Sequence, residues 1–420
     1  MSRVSRSFPQ LASIALATMF AVGSITTITA CDNKAIDAGG DSTITPTPSR
    51  ALNTEGRGVV ADRYTAELWV VGNVAYTTTW GTRTVDGVRS VGNAIKIWNI
   101  AGATPLLVDS VIVSDATTLG DIQATDDGKL LVVATEFSPG SIVVYHIANP
   151  LKPQLVSRFS NANTDPGVHT ATVAVVNGKL YGFLCVDPGG GQPARLVIVD
   201  LSNPAAPTEA FSQAMGNPFV HDVFVRDGIL MVALWNDGMS IFDIGGGGAG
   251  GTVSNPKLLG NVKTVGGKVH NVWWFRDNAD GTKRFAFVGE EGPGSIGSTS
   301  VGDIHVVDVS DLTNPHEVSF FNVPGAGTHN FSVDEDRGVL FAAYYNGGVR
   351  AINVRGDIGR CDAIMKSDDG RCDLKKMGRE VAHALTDTGM AVYIWGVVSA
   401  GTKLYASDML NGLWRIDTAQ

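Results

Sequence analysis

Four histidines stand at matching points of repeated phrases: His169 in "GVHTATVAVV", His221 in "FVHDVFVRDG", His270 in "KVHNVWWFRD" and His329 in "GTHNFSVDED". Imidazole titrates near neutrality, and in its neutral form it is a common ligand for zinc, copper, iron and nickel. Three comparable phrases carry Ala66, Gly120 and Trp395 instead, and the next column is largely polar: Glu67, Asp121, Asp222, Asn271 and Asn330. Acidic residues also close the second apolar run of most units, at Glu136, Asp187, Asp237, Glu290, Glu291 and Asp408. If these positions meet, three roles are open to them. They could hold a transition metal (iron, copper or zinc), with His169, His221, His270 and His329 as ligands. Glu136, Asp187, Asp222, Asn271, Glu290, Glu291 and Asn330 would then be further ligands or the groups that orient them. They could instead seat an anionic or polar ligand, or a partner's loop. Finally, each histidine could simply bond a neighbouring carbonyl or carboxylate and tie a loop to its sheet.

Whether they meet depends on the elements that carry them. One phrase recurs along the chain: an apolar run, a turn, a second apolar run, then a short strand of the type "LVIVDLSNP". The third-strand versions are "AIKIWNIAG", "SIVVYHIAN", "RLVIVDLSN", "MSIFDIGGG", "DIHVVDVSD", "GVRAINVRG" and "GLWRIDTAQ". Several continue through Asn-Pro into a fourth strand; Pro cannot donate to a central ladder and pushes the preceding residue out of helical space. Near-continuous apolar runs such as "LLVVAT" and "LMVALW" suit strands covered on both faces. A four-stranded unit cannot bury both faces alone, but radial stacking against neighbours does so. The expectation is an all-β, seven-bladed β-propeller of four-stranded antiparallel blades. The seventh unit supplies three strands and stops, so "GRGVVADRY" (56–64) is expected to complete it and close the ring. Six blades is the alternative. Trp80, Trp235, Trp273, Trp274, Trp395 and Trp414 are assigned to blade cores, and "GGGGAGG" (245–251) to a flexible connector. The single helical candidate is "DLKKMGREVAHAL" (373–385), in a polar insertion at about 356–388.

Leu196-Val197-Ile198-Val199-Asp200 and "IHVVDVSDLTNP" resemble the LVIVD repeat, found in bacterial and archaeal surface or secreted proteins. The resemblance implies a propeller and carries no single activity. It weakens in "IKIWNIAGATP" and "VRAINVRGD", where the Asp-Ser-Asp-Pro portion is lost. Four-histidine iron centres on a propeller axis occur in carotenoid-cleaving oxygenases, and related clusters in selenium-binding proteins. That likeness is one of architecture only.

The amino terminus reads as an address. Arg3 and Arg6 precede an apolar run from Leu11 to about Val22, and residues 1–30 form a secretory signal pattern. Ile28-Thr29-Ala30-Cys31 resembles the bacterial lipobox, which implies lipidation of Cys31 and attachment to a bacterial membrane outside the cytoplasm. Residues 31–55 read as a polar tether and 56–420 as the folded domain. In such a compartment Cys361 and Cys372 can pair, while Cys185 lies in an apolar strand and suits a buried thiol. The net charge of −9 gives no basic footprint, so no nucleic-acid partner is expected. The leading expectation is a lipid-anchored binding or interaction module using its axial face, with an unknown protein, polymer or small ligand as partner. The alternatives are an oxidoreductase or oxygenase-like enzyme at a multi-histidine metal site, and an axial small-ligand carrier. Replacing Cys31 by Ala should abolish incorporation of labelled palmitate and release the chain from the membrane fraction. Undiminished labelling would contradict the lipobox reading.

Overall fold

The computed structural model describes residues 49–419. The expectations for the signal segment, for Cys31 and for most of the tether lie outside the described residues. Seven four-stranded antiparallel sheets succeed one another along the chain. Blade 1 begins with Tyr64–Val71, blade 2 with Thr118–Ala124, blade 3 with Val168–Val176 and blade 4 with Asp222–Arg226. Blade 5 begins with Val269–Trp274, blade 6 with Phe331–Asp334 and blade 7 with Ile394–Ala400. The fourth strand of blade 7 is Asn53–Gly58, antiparallel to Gly412–Asp417. The amino-terminal segment thus closes the ring, three residues earlier than expected. The preceding Arg50–Ala51 pairs alongside blade 6, so strand pairing begins inside the stretch read as tether.

Burial explains the seven-fold count. The core divides into packets, each shared by two adjacent blades. One joins blades 5 and 6 around Phe287, Phe321 and Tyr344; another joins blades 1 and 2 around Tyr76, Ile95 and Leu119. The decisive packet holds Leu68, Ala75 and Trp98 of blade 1 against Tyr405 and Leu413 of blade 7. Six blades would leave one sheet with an uncovered face. Gly58 permits this closure, since a Cβ there would lie 2.4 Å from the Trp98 ring.

The LVIVD-type ending has a physical cause. The last residue of the third strand accepts a hydrogen bond from the backbone N–H two positions on, at 2.8–3.4 Å, in every blade. The acceptors are Asn99, His146, Asp200, Asp243, Asp308, Asn353 and Asp417. A short polar acceptor here bends the chain out of the sheet. The blades that lack Asp keep the geometry with Asn or His.

Two readings are corrected by this architecture. Residues 245–251 are not a slack connector. The N–H groups of Gly245, Gly246 and Gly247 converge on Oδ1 of Asp243, and those of Ala249 and Gly251 on Oδ2, at 2.8–3.1 Å. Only a nearly bare backbone can wrap a carboxylate so closely. Nor is 373–385 helical. Gly378 has a φ of +67°, and Glu380–Ala384 is the fourth strand of blade 6, pulled there by the open edge of Val349–Asn353. The insertion proper therefore ends before residue 380. It carries the Cys361–Cys372 disulfide and lays Cys372–Asp373 along the edge of blade 5. Cys185 is a buried free thiol.

The Asp243 nest gives a direct test. These N–H bonds, the strongest from Gly247, hold the Asp243 carboxyl far below the usual range. Its contribution is present above the ordinary carboxylate pKa and is lost only as pH falls through the depressed one. Asp243→Ala should cost about 2 kcal/mol, because five backbone N–H groups lose one charged acceptor. Asp200→Ala, which removes one exposed turn bond, should cost about 1 kcal/mol. Denaturant melts of the two variants check the ranking; equal costs would contradict it.

Candidate functional site

The first strand of each blade lines the axis, and near its start two of its residues oppose one residue of the second strand. In blades 1, 2, 3, 5 and 7 this is a register shift. In blade 4, Ala233 pairs with Asp222 and accepts the His221 N–H; in blade 6, Ala343 faces both His329 and Asn330. A strand normally turns successive side chains to opposite faces, and a bulge of this kind re-aims them. Two consecutive residues per blade consequently line one axial cavity of about 690 Å³: Ala66/Glu67, Gly120/Asp121, His169/Thr170, His221/Asp222, His270/Asn271, His329/Asn330 and Trp395/Gly396.

The first residues of these pairs build a ring. The centroids of His169 and His221 lie 4.4 Å apart, those of His221 and His270 4.1 Å, and those of His270 and His329 4.1 Å. His329 continues to Trp395 at 4.2 Å, and Trp395 to Trp80 at 5.8 Å. Trp80 Nε1 donates to Glu136 Oε2 at 3.2 Å, and Glu136 Oε1 lies 3.5 Å from His169 Nδ1. One side chain from every blade completes the circuit. Where the first strand offers only Ala66 or Gly120, the end of the second strand fills the place with Trp80 or Glu136. Gly120 must be bare, since a Cβ would sit 2.0 Å from the His169 carbonyl oxygen.

The imidazoles differ in charge. Burial, reinforced by neighbouring imidazoles, holds His221, His270 and His329 well below the ordinary histidine pKa, so they are neutral. His329 donates Nδ1–H to the Trp395 carbonyl at 2.6 Å, which leaves its Nε2 as the lone-pair nitrogen. Burial also opposes charge on His169, but Glu136 and Asp187 outweigh it and raise its pKa well above the usual value. His270 is 2% exposed, yet neither of its ring nitrogens has a hydrogen-bond partner among the described residues. Trp235 stacks on His221 at 5.3 Å, and Tyr345 packs on His329 at 5.2 Å. Both aromatic residues take positive φ (50° and 41°), a conformation that costs on the order of 1–3 kcal/mol and clusters at functional sites.

The second residues of the pairs form an acidic tier. Asn330 Nδ2 and Trp395 Nε1 donate to Glu67 at 2.6 and 2.7 Å. Burial and then repulsion from Asp121 push Glu67 and Asp222 well above the carboxylate range. Burial likewise pushes Asp121 up to about 6, against the N–H groups of Ile122 and Ala171.

The sequence positions divide accordingly. His169, His221, His270, His329 and Glu136 meet in the ring, Asp187 lies 3.5 Å from His169, and Glu291 lies 3.5 Å from His221. Asp222, Asn271 and Asn330 line the channel beside them. Glu290 turns away from the axis toward His305, at 3.5 Å. Asp408 accepts from Trp414 Nε1 inside blade 7, and Asp237 lies 3.9 Å from the well-exposed Lys263. The assignment of tryptophans to the blade core holds for Trp274 and Trp414, whereas Trp80, Trp273 and Trp395 line the channel. Sequence reasoning missed His305, which sits in a third strand outside the repeated histidine column.

Residues 190–214 and 300–323 match the family model described as the LVIVD repeat. The chain carries LVIVD repeats. These repeats form β-propellers, as the seven blades here do. Comparison with curated proteins gave no match. The matched segments hold the third and fourth strands of blades 3 and 5, on the rim side of the ring. None of the four ring histidines lies within them, so the repeat accounts for the scaffold rather than for the site.

His305 supplies a pH test. It is fully buried, with Nδ1 2.7 Å from Glu317 Oε1 and Nε2 3.5 Å from Glu290 Oε2. Burial opposes its charge, but the two carboxylates prevail and raise its pKa to about 9. A raised histidine stabilises fully below the unfolded value of about 6.5 and loses that contribution as pH rises through the folded one. His305→Gln should therefore lower the melting temperature most at pH 6 and least above pH 9.5. A difference independent of pH would contradict a charged His305.

Proposed function

We propose that this protein is a binding module held by lipid outside the cytoplasm, and that its axial channel is the part that binds. The observation that carries the proposal is the set of imidazoles, carboxylates and tryptophans that first strands and second-strand ends bring to one axial cavity of about 690 Å³. A propeller needs only apolar filling at its hub. Here the hub holds four imidazoles, five carboxylates and four tryptophans, and the backbone is strained to stack aromatic residues against the imidazoles. Buried polar groups cost stability where they lack hydrogen-bond partners, as both ring nitrogens of His270 and the Asn271 side-chain oxygen do among the described residues. The guest is a small cationic molecule: burial disfavours the ionised forms of Glu67, Asp121 and Asp222, and a positive charge among them favours those forms. Trp273 and Trp395 offer faces suited to the apolar part of such a cation. The external location rests on the sequence pattern before Cys31 and is supported by the Cys361–Cys372 disulfide.

Thermal-shift titration with choline and putrescine against citrate and phosphate tests the reading. The organic cations should raise the melting temperature, and Glu67→Gln with Asp222→Asn should remove the effect. Stabilisation by the anions alone, or by none of the four, would contradict it.

A further inference from the structure

Glu291 is a buried carboxylate, and no Lys or Arg of the described residues pairs with it. Tyr345 donates its hydroxyl to Oε1, which leaves Oε2 facing two imidazoles. Oε2 lies 3.5 Å from His221 Nε2 and 3.8 Å from His270 Nε2. Those separations are too long for good hydrogen bonds, whose N···O distances run to about 3.2 Å. They match another geometry. Ligand atoms about 2.1 Å from a tetrahedral ion lie about 3.4 Å from one another. The three ligand atoms all fall within 4.8 Å of each other.

We infer that His221, His270 and Glu291 bind one divalent transition-metal ion at the inner wall of the channel. Two neutral imidazoles and a carboxylate are a donor set used by zinc and by ferrous iron. The ion answers two otherwise unexplained facts: Nε2 of His270 is buried without a partner, and Glu291 is buried without a cation. Orientation comes from packing. His221 is held between Trp235 and His270, His270 between His221 and His329, and the Tyr345 hydroxyl fixes the carboxylate.

A second trio, Glu136, His169 and Asp187, has similar spacing. It differs in its donors. Both carboxylates stand 3.5 Å from one nitrogen, His169 Nδ1, so this trio offers a single imidazole where the first offers two. His329 is also left out, because it belongs to neither trio.

The site is separate from the organic-cation claim, and its test reads different residues. The mature chain, purified in detergent without a histidine tag and stripped by a chelator, is equilibrated with Co(II) and, in parallel, Zn(II). About one ion per chain should bind, with visible ligand-field bands for Co(II). His270→Ala and Glu291→Gln should each weaken binding by at least about tenfold, and Tyr345→Phe by about tenfold through the freed carboxylate. Asp187→Asn and the surface change His146→Gln should leave affinity and spectrum unaltered. Melting curves accompany each variant; should His270→Ala fail to fold, Glu291→Gln decides. Clearly substoichiometric binding to the wild-type chain overturns the inference, as does full affinity in folded Glu291→Gln. Loss of metal only in Asp187→Asn overturns it too, by moving the ion to the other trio.

Discussion

A β-strand sends successive side chains to opposite faces, so the innermost strand of a propeller blade can offer its axis only every second residue. The rest of this structure depends on a local exception to that rule. At the start of each first strand, two residues stand against one, and both then face the channel. Seven such bulges supply seven adjacent pairs, and from these come the imidazole ring, the acidic tier and the cavity between the blades. A bulge alone cannot do this. It needs a closed ring so that the seventh pair meets the first, and closure rests on Asn53–Gly58 lying flush against Trp98 of blade 1.

Electrostatics divides the hub into regions of different character. His221, His270 and His329 are neutral because water is excluded and because each would repel the next if charged. His169 is charged because Glu136 and Asp187 stand beside it. One column of identical side chains thereby yields two chemistries: two carboxylates face His169, whereas His221 and His270 share only Glu291. The carboxylates of the neighbouring tier have their proton affinity raised, first by burial and then, for Glu67 and Asp222, by Asp121. The rim of the ring obeys a different economy of bonds: short acceptors such as Asp200, Asp243 and Asp308 end each third strand, and the glycine loop folds around one of them.

Much of this was legible in the order of residues. The repeat, the blade count, the closing strand and the convergence of the histidines follow from period, turn chemistry and the unfinished seventh unit. The paired polar column after each histidine was also visible, although an unbroken strand would have turned it away from the axis. What stayed hidden depended on contacts between units. Nothing local in "VVYHIAN" or "VRAINVRGD" says that His146 or Asn353 replaces Asp as a turn acceptor. Glu290 and Glu291 are neighbours with opposite fates, because one faces His305 within its own blade and the other faces the ring. "EVAHAL" carries good helix formers, yet the unpaired edge of blade 6 outweighs propensity and makes it a strand. Trp80 and Trp395 read as core because apolar size alone does not distinguish a blade interior from a channel wall.

The central claim is that two consecutive residues of each first strand face one axial space. Crystallographic electron density for this protein tests it most directly, at the positions of His169, His221, His270 and His329 and their successors. The account requires neighbouring imidazole centroids about 4 Å apart, as in the 4.1–4.4 Å spacings here, with Asp222, Asn271 and Asn330 lining the same cavity. Density showing regular alternation, with those three side chains turned into the blades, would contradict it.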